Sequence, residues 1–172
     1  AYAYEIGHIV REGLRRMYGE DSEDVYYYLT VYNEPYLQPT EPEGVDVDGI
    51  VKGMHRISPA PAGDGPKATL LASGVAVPWA LRAQEMLAAE WGVQAEVWSV
   101  TSWNELRRDG LARDREALLD PEGVTREAYV TQRLADSPGP FIAVSDFMRA
   151  VADQIGPWVP SDFASLGTDG WG

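Results

Sequence analysis

The chain has 172 residues, of which 45% are hydrophobic, and its 27 acidic and 14 basic residues give a formal net charge of -13. This composition is typical of a globular protein, and the charge argues against binding to nucleic acid or to anionic membranes. The absence of Cys excludes disulfides, thiolate zinc sites and a cysteine nucleophile, and is typical of a reducing compartment. No apolar run approaches the roughly 20 residues of a membrane span, and no signal peptide opens the sequence, so we expect a cytoplasmic protein.

The first part of the sequence combines a helix, an apolar strand and a proline-rich segment. Apolar residues in positions 4–18 recur at helical spacing, and Gly19 is a stop signal. Residues 25–31 are aromatic and β-branched with almost continuous apolar character, which predicts a strand covered on both faces. Residues 35–48 contain three prolines and several acidic residues, so we expect a linker and a domain boundary there.

The rest of the sequence alternates strands with helices. Apolar and β-branched residues predict five further strands, the first at a sheet edge: residues 51–57, 68–72, 93–100, 141–144 and 163–166. Helix signals fall between them: Pro78 at a first helical position with Gly92 as a stop, the capping-box spacing of Ser102 and Glu105, residues 125–135, and a cap at Ser145 or Asp146. This alternation predicts an α/β fold, a three-layer sandwich with a mostly parallel sheet.

Common catalytic motifs are missing from the sequence. It contains no P-loop, no glycine-rich dinucleotide motif after a strand, no G-x-S-x-G elbow and no H-E-x-x-H zinc motif. The two histidines, His8 on the first helix and His55 in the predicted edge strand, are too far apart in sequence for their spacing to suggest a shared metal. We interpret both as structural or solvent-exposed, and we predict no metal site.

Two polar pairs follow predicted strands. Asn33-Glu34 comes directly after residues 25–31, and a carboxylate at a strand end can accept a proton or contact a cofactor; a turn or an interface contact is the alternative. Ser73-Gly74 also follows a strand, at the carboxyl edge where open α/β sheets bind ligands, although ordinary turn chemistry is the favoured interpretation. Composition and spacing therefore predict an acidic α/β domain and leave its function open.

Longer strings of residues carry a family resemblance. The strings are AYAYE at 1–5, GLRRMYG at 13–19, DVYYYLT at 24–30 followed by Asn33-Glu34, SVTSWNEL at 99–106 with RDG at 108–110, and LGTDGWG at 166–172. In this order they are similar to the single-chain pyruvate dehydrogenases that use thiamine diphosphate. The resemblance extends from the first residue to the last, and because no single short motif carries it, it is highly specific.

The resemblance implies a division of the chain and a function for the longer protein. Residues 1–45 resemble the end of a pyrimidine-binding domain, with a helix, a strand and a linker. Residues 46–172 resemble a transketolase-like C-terminal domain that is truncated at its end. The chain also lacks an initial Met, so we expect a C-terminal segment of a longer enzyme.

Members of this family are homodimers that oxidatively decarboxylate pyruvate on thiamine diphosphate with Mg²⁺. They transfer the acetyl group to the lipoyl group of dihydrolipoyl acetyltransferase. The implied role of this segment is to support dimerisation and the cofactor cleft. Two alternatives stay open: another thiamine-dependent, transketolase-like enzyme, and a non-catalytic acidic interaction domain.

Departures from the family pattern limit what this segment does alone. The G-D-G…N motif that holds Mg²⁺-diphosphate is missing; Gly63-Asp64-Gly65 has its first letters, but no Asn follows at the family spacing. The glutamate that protonates the aminopyrimidine belongs upstream of residue 1. We therefore expect no catalytic residue, no cofactor binding and no activity in the isolated segment, with Asn33 and Glu34 as candidates near the pocket. Leu37 stands where some relatives have His, which puts a proton donor from this loop in doubt.

Overall fold

The computed structural model describes residues 1–33, 35–123 and 126–170. Within these residues the chain forms six α-helices: α1 (Ala3–Tyr18), α2 (Val47–Lys52), α3 (Ala76–Trp91), α4 (Trp103–Leu119), α5 (Tyr129–Leu134) and α6 (Arg149–Asp153). It also forms five strands there: β1 (Met54–Ser58), β2 (Lys67–Ala72), β3 (Gln94–Val100), β4 (Phe141–Val144) and β5 (Phe163–Leu166). None of the helices in these ranges combines the length and the apolar character that crossing a membrane requires.

The five strands form one sheet in the order β1-β3-β2-β4-β5. The last four strands of this order run parallel to one another, with β2 at the centre, paired to β3 on one side and to β4 on the other. Strand β1 pairs antiparallel with β3 at the edge of the sheet. All seven residues of β3 are buried, as expected for a strand covered on both faces. The predicted α/β class with a mostly parallel sheet is confirmed.

Alternate residues of the strands point to two separate cores. On one face Leu71 and Phe141 pack with buried residues of α4, α5 and α6. On the other face Leu70 and Val97 pack with α3 and with Tyr2, which directly precedes α1. Because side chains alternate along a strand, helices cover both faces, and the result is the predicted three-layer sandwich.

One helix near the predicted domain boundary was not foreseen. Helix α2 is six residues long; the Asp46 side chain accepts a hydrogen bond from the Gly49 amide at 2.9 Å at its start, and Gly53 ends it at a φ of 113°. The prediction of an edge strand over residues 51–57 is right in kind but begins too early, because Val51 belongs to this helix and the strand starts at Met54. Asp at the cap and Gly just past the end are ordinary helix signals, but the helix is too short to show a periodic pattern.

One of the two predicted helix caps is correct. The Ser102 hydroxyl accepts a hydrogen bond from the Glu105 amide at 3.1 Å and begins α4. The cap predicted at Ser145 or Asp146 is wrong: α6 begins after Met148, and the carboxylate that accepts a hydrogen bond from its first amide, of Arg149, is that of Asp169, at 2.8 Å. The carboxylate of Asp146 is engaged elsewhere, by a tyrosine from a distant segment, so it is not directed at the helix.

The strand predicted over residues 25–31 is wrong for this chain. The segment is irregular, none of the five described strands pairs with it, and Tyr26, Tyr28 and Val31 are 87%, 83% and 68% exposed. The physical reason is the lack of a partner: backbone N–H and C=O groups form a ladder only with a neighbouring strand. The helix predicted before this segment is confirmed as α1, which is followed by Gly19.

Candidate functional site

Residues 32, 33 and 35–38, here called the crossing segment, run past the carboxyl ends of two parallel strands. The Tyr32 hydroxyl donates a hydrogen bond to Asp146 Oδ1 at 2.6 Å, and Asp146 lies two residues beyond the end of β4. The same hydroxyl approaches Gly74, two residues beyond β2, so closely that a Cβ there would lie 2.6 Å from it. Open α/β sheets bind ligands at this edge, so the crossing segment marks the candidate site.

The geometry of this edge requires glycine at position 74. Gly74 has a φ of +57°, in the left-handed region, which a residue with a Cβ adopts at a cost. Burial raises the pKa of Tyr32, and the adjacent carboxylate of Asp146 raises it further. The phenol therefore stays protonated at neutral pH and remains a hydrogen-bond donor to Asp146.

The sequence-predicted site residues are distributed over this edge. Asn33 is exposed in the crossing segment, and Glu34 lies outside the residues that the structure describes. Leu37, where some relatives carry His, is 93% exposed. Ser73 is buried, and its hydroxyl accepts a hydrogen bond from Trp103 Nε1 at 3.1 Å. Ser73-Gly74 thus forms the turn after β2, and Gly74 contacts Tyr32 of the crossing segment. A role of Asn33 and Glu34 near a pocket stays a prediction.

The far end of the crossing segment rests on the first turn of α1. The Ala3 amide donates a hydrogen bond to Gln38 Oε1 at 3.0 Å, and the rings of Tyr2 and Tyr36 lie 6.3 Å apart between centroids. This separation is within the range of favourable aromatic pairs. Tyr2 in turn packs into the core on the α3 face of the sheet. The crossing segment is therefore held at both ends, by the sheet edge and by α1.

A buried carboxylate–imidazole pair joins α1 to the edge strand of the sheet, and sequence reasoning missed it. Glu5 is completely buried and His55 is 2% exposed, with His55 Nε2 2.6 Å from Glu5 Oε1. The second carboxylate oxygen of Glu5 accepts a hydrogen bond from the Tyr2 amide. The two residues are 50 positions apart, and nothing in their spacing could have paired them.

The electrostatics of this pair fix the role of each partner. Burial raises the pKa of Glu5, but hydrogen bonds from His55 and from the Tyr2 amide outweigh burial and hold the pKa below its usual range. Glu5 is consequently ionised at neutral pH and can only accept hydrogen bonds. His55 Nε2 must carry the hydrogen, so the imidazole donates to Glu5. A charge this deeply buried is tolerated because it is hydrogen-bonded on both oxygens.

The second histidine makes a weaker contact of the same kind. His8 Nε2 lies 3.0 Å from Glu41 Oε1, and Arg11 contacts the other ring nitrogen at 3.1 Å. Glu41 is half exposed, and exposed ion pairs contribute about 0–1 kcal/mol. His8 therefore fastens the middle of α1 to the chain just beyond the crossing segment without burying a charge.

A cleft of about 520 Å³ opens beside His55. Its walls carry charges of both signs. Arg133 contacts Asp46 at 2.5 Å and lies over the Trp98 ring at 5.4 Å from its centroid. Burial raises the pKa of the neighbouring Tyr129 to about 12. The cleft wall also carries Glu43 and Asp136 beside the ion pair of Arg133 and Asp46.

Among the residues that the structure describes, the side chains do not form a ligand set for a Mg²⁺-diphosphate group. Across residues 1–33, 35–123 and 126–170 no cluster of three or more His, Asp or Glu side chains could hold a metal ion. Gly63-Asp64-Gly65 lies in a turn, where a Cβ on Gly65 would collide with the Gly92 carbonyl oxygen. Gly65 thus allows two backbones to approach closely, which is a structural role for this turn.

Comparison with known families agrees with this geometry. Residues 53–172 match the family model of the transketolase-like C-terminal domain. The chain belongs to this family. Residues 1–39 match a second model, the middle domain of the pyruvate dehydrogenase E1 component. The family resemblance stated from the sequence is therefore confirmed.

Curated relatives extend the match over the whole chain. The chain is 56% identical over 172 residues to the pyruvate dehydrogenase E1 component of Mycolicibacterium smegmatis and to that of Mycobacterium tuberculosis, covering 100% of this chain and 18% of each of those proteins. It is 43% identical over 173 residues to the protein of the same name from Escherichia coli, covering 100% of this chain and 19% of that protein. The chain thus spans less than a fifth of the length of these relatives.

The two matched segments meet at the buried pair. Glu5 belongs to the segment that matches the middle domain, and His55 belongs to the segment that matches the transketolase-like C-terminal domain. Their contact, at 2.6 Å, is therefore a contact between the parts of the chain that two different family models cover.

Proposed function

We propose that this chain is the C-terminal part of a pyruvate dehydrogenase E1 component. The longer enzyme would oxidatively decarboxylate pyruvate on thiamine diphosphate with Mg²⁺ and transfer the acetyl group to the lipoyl group of dihydrolipoyl acetyltransferase. The observation that carries the proposal is identity over the full length of the chain, 56% to two proteins of that name. The order of the two family matches, middle domain and then C-terminal domain, supports it.

The proposed domain division places residues 1–45 at the end of a pyrimidine-binding domain with its linker, and residues 46–172 in the C-terminal domain. Family matches over residues 1–39 and 53–172, on either side of the boundary, support this division. So does the exposure of the first region: Leu14 on α1 and Tyr26 beyond it are 51% and 87% exposed. Other parts of the same domain would cover these apolar groups and pair with the segment over residues 25–31.

In the proposed enzyme this chain supports the cofactor cleft. The crossing segment lies at the carboxyl edge of the sheet. Asn33 within it, and Glu34 next to Asn33 in sequence, are the proposed residues near the pocket. Leu37 cannot transfer a proton, so a proton donor would come from another residue. The groups that hold Mg²⁺ and diphosphate and that activate the cofactor would belong to other domains of the longer chain, since a cofactor supplies the electron sink and the protein orients it.

The proposed partners follow from the same family. The enzyme would be a cytoplasmic homodimer that docks with dihydrolipoyl acetyltransferase and takes pyruvate as its small-molecule substrate. Nucleic acid and membranes are not proposed as partners, because a net charge of -13 repels polyanions and anionic lipid surfaces.

Steady-state turnover by the full-length protein tests the proposed activity. With thiamine diphosphate, Mg²⁺ and a lipoylated acceptor domain, we expect release of CO₂ and acetylation of the acceptor with pyruvate as the preferred substrate. Other 2-oxo acids and ketose phosphates serve as controls. Faster turnover of one of these controls would assign the chain to another thiamine-dependent enzyme.

Calorimetric titration tests where the cofactor site lies. Thiamine diphosphate with Mg²⁺, titrated into the purified 172-residue chain, should give no binding heat, whereas the full-length protein should bind. Tight binding by the short chain alone would show that its carboxylates hold the metal, and the proposed division of labour would then be wrong.

A further inference from the structure

The buried pair Glu5–His55 is the tightest polar contact between α1 and the sheet. Both side chains are inaccessible to solvent, and they meet at 2.6 Å. Removing one member of such a pair is strongly destabilising because it leaves an uncompensated group in the interior. The pair is therefore a fixed point at which α1 is joined to β1.

The same turn of α1 holds the crossing segment. Glu5 accepts a hydrogen bond from the Tyr2 amide, which fixes the backbone at the start of the helix. The next amide, of Ala3, donates to Gln38 Oε1 at 3.0 Å, and the Tyr2 ring faces the Tyr36 ring. The carboxylate of Glu5 is thus connected to residues 36–38 by two hydrogen bonds, one from the Tyr2 amide to Glu5 and one from the Ala3 amide to Gln38.

The opposite end of the crossing segment has its own support, independent of this pair. Tyr32 bonds to Asp146 at the sheet edge, so a loss of the Glu5–His55 contact would release residues 36–38 first. Leu37, between the two supported residues, is 93% exposed and contributes little packing of its own. The position of this part of the segment therefore depends on α1.

We propose that Glu5 and His55 are positioning residues that hold residues 36–38 of the crossing segment at the carboxyl edge of the sheet. The link to catalysis rests on the proposed function, in which this segment lies near the pocket. The pair acts through the first turn of α1 and touches no substrate. Its role is to keep the segment in one place, so that groups near the pocket are held in a productive geometry.

Amide hydrogen exchange in the full-length protein tests the positioning role directly. In His55→Leu we expect exchange in a peptide that includes the Tyr2 and Ala3 amides, which are hydrogen-bonded to Glu5 and Gln38, to increase about tenfold more than exchange in β2 and β3, which reports the general loss of stability. His55→Gln supplies an N–H near the position of Nε2, so its exchange should stay within about threefold of the unmodified protein. Glu5→Gln should behave in the same way, because its amide oxygen can accept from Tyr2 and its amide nitrogen can donate to the imidazole.

A matched control uses the other histidine of the chain. His8→Leu removes an imidazole–carboxylate contact from the same helix, but that contact is made to a half-exposed Glu41. We expect exchange at the Tyr2 and Ala3 amides to change by less than about twofold in this variant. The double variant Glu5→Gln with His55→Leu should be less perturbed than His55→Leu alone, because no buried charge is left without its donor.

Kinetics give a second readout that a purely structural role would not produce. His55→Leu should lower kcat for pyruvate about tenfold while KM stays within about threefold, and His55→Gln should restore kcat. In a folded His55→Leu protein, exchange at the Tyr2 and Ala3 amides that increases no more than exchange in β2 and β3 would overturn the proposal. If the unmodified protein does not turn over pyruvate, the proposed function fails, while the exchange measurement still decides the role of the pair.

Discussion

Two parts of this chain have similarly apolar sequences and very different surroundings. Strand β3 buries all seven of its residues between helices on both faces of the sheet. The segment over residues 25–31 has the same aromatic and β-branched character, yet Tyr26 and Tyr28 are 87% and 83% exposed. An apolar run therefore indicates that a segment can become a buried strand, but its neighbours decide whether it does.

The two ends of α1 also differ in burial. At its first turn Glu5 is completely buried against the sheet, whereas Tyr18 at its last residue is 79% exposed. The first turn of α1 is thus fixed to the sheet, whereas the last residue of α1 is exposed. Substitutions in the sheet region and in the first region should accordingly differ in their energetic effect, and the following experiments measure that difference.

The largest effect is expected in the core of the sheet. Phe141, at the start of β4, is 1% exposed and packs with residues of β2 and α5. Phe141→Ala should lower the free energy of unfolding by about 3–5 kcal/mol, through lost burial and the cavity left behind. Urea denaturation of the chain measures this. Phe147→Ala, at a position 38% exposed, is the control; equal losses at both sites would show that this face of the sheet is not packed as described.

An intermediate effect is expected where a helix glycine receives an indole ring. A Cβ added at Gly110 in α4 would collide with the ring of Trp158, and that ring is held by a hydrogen bond from Trp158 Nε1 to Asp114 Oδ1 at 3.1 Å. Gly110→Ala should therefore cost about 1–3 kcal/mol, because the rigid ring must move. Thermal unfolding measures the loss, and a gain in stability would contradict the close packing of α4 against Trp158.

The matching glycine of the first region should respond in the opposite direction. Gly7 lies inside α1, and a Cβ there would meet nothing within 4 Å. Gly7→Ala should stabilise the chain by about 0.5–1 kcal/mol, since Ala loses less conformational freedom than Gly in a helix. The same thermal unfolding experiment compares the two alanine variants. In the full-length protein, a loss of this gain would indicate that another domain packs against Gly7.

Much of the sheet region could be predicted from the sequence because its signals are local. Strands β2 to β5 were predicted within one residue at either end, and the Ser102 cap was predicted as observed. Two of the errors have physical causes that lie outside the local sequence. Residues 25–31 lack a partner for their backbone, and Asp146 bonds to Tyr32 instead of capping α6.

Less of the candidate site could be predicted, because its contacts are distant in sequence. Ser73-Gly74 was noted as a strand end, but the contact of Gly74 with Tyr32 joins elements 42 positions apart. The pairing of Glu5 with His55, 50 positions apart, has no signature in either segment. Contacts of this kind depend on how elements pack, and a single sequence carries no spacing rule for them.

The smallest effect is expected in the exposed segment over residues 25–31. It tests most directly why this segment differs from the buried strand β3. Tyr28 is 83% exposed, so Tyr28→Ala should change the stability of the chain by less than about 0.5 kcal/mol. If residues 25–31 form a buried strand in the full-length protein, the same substitution there should cost about 3–5 kcal/mol, as for other buried aromatic residues. Urea denaturation of both proteins measures the difference. Equal, small effects in the two proteins would mean that Tyr28 stays exposed in the longer protein. The exposed aromatic residues of this segment would then be expected to contact another protein chain, because exposed aromatic clusters are typical of binding surfaces.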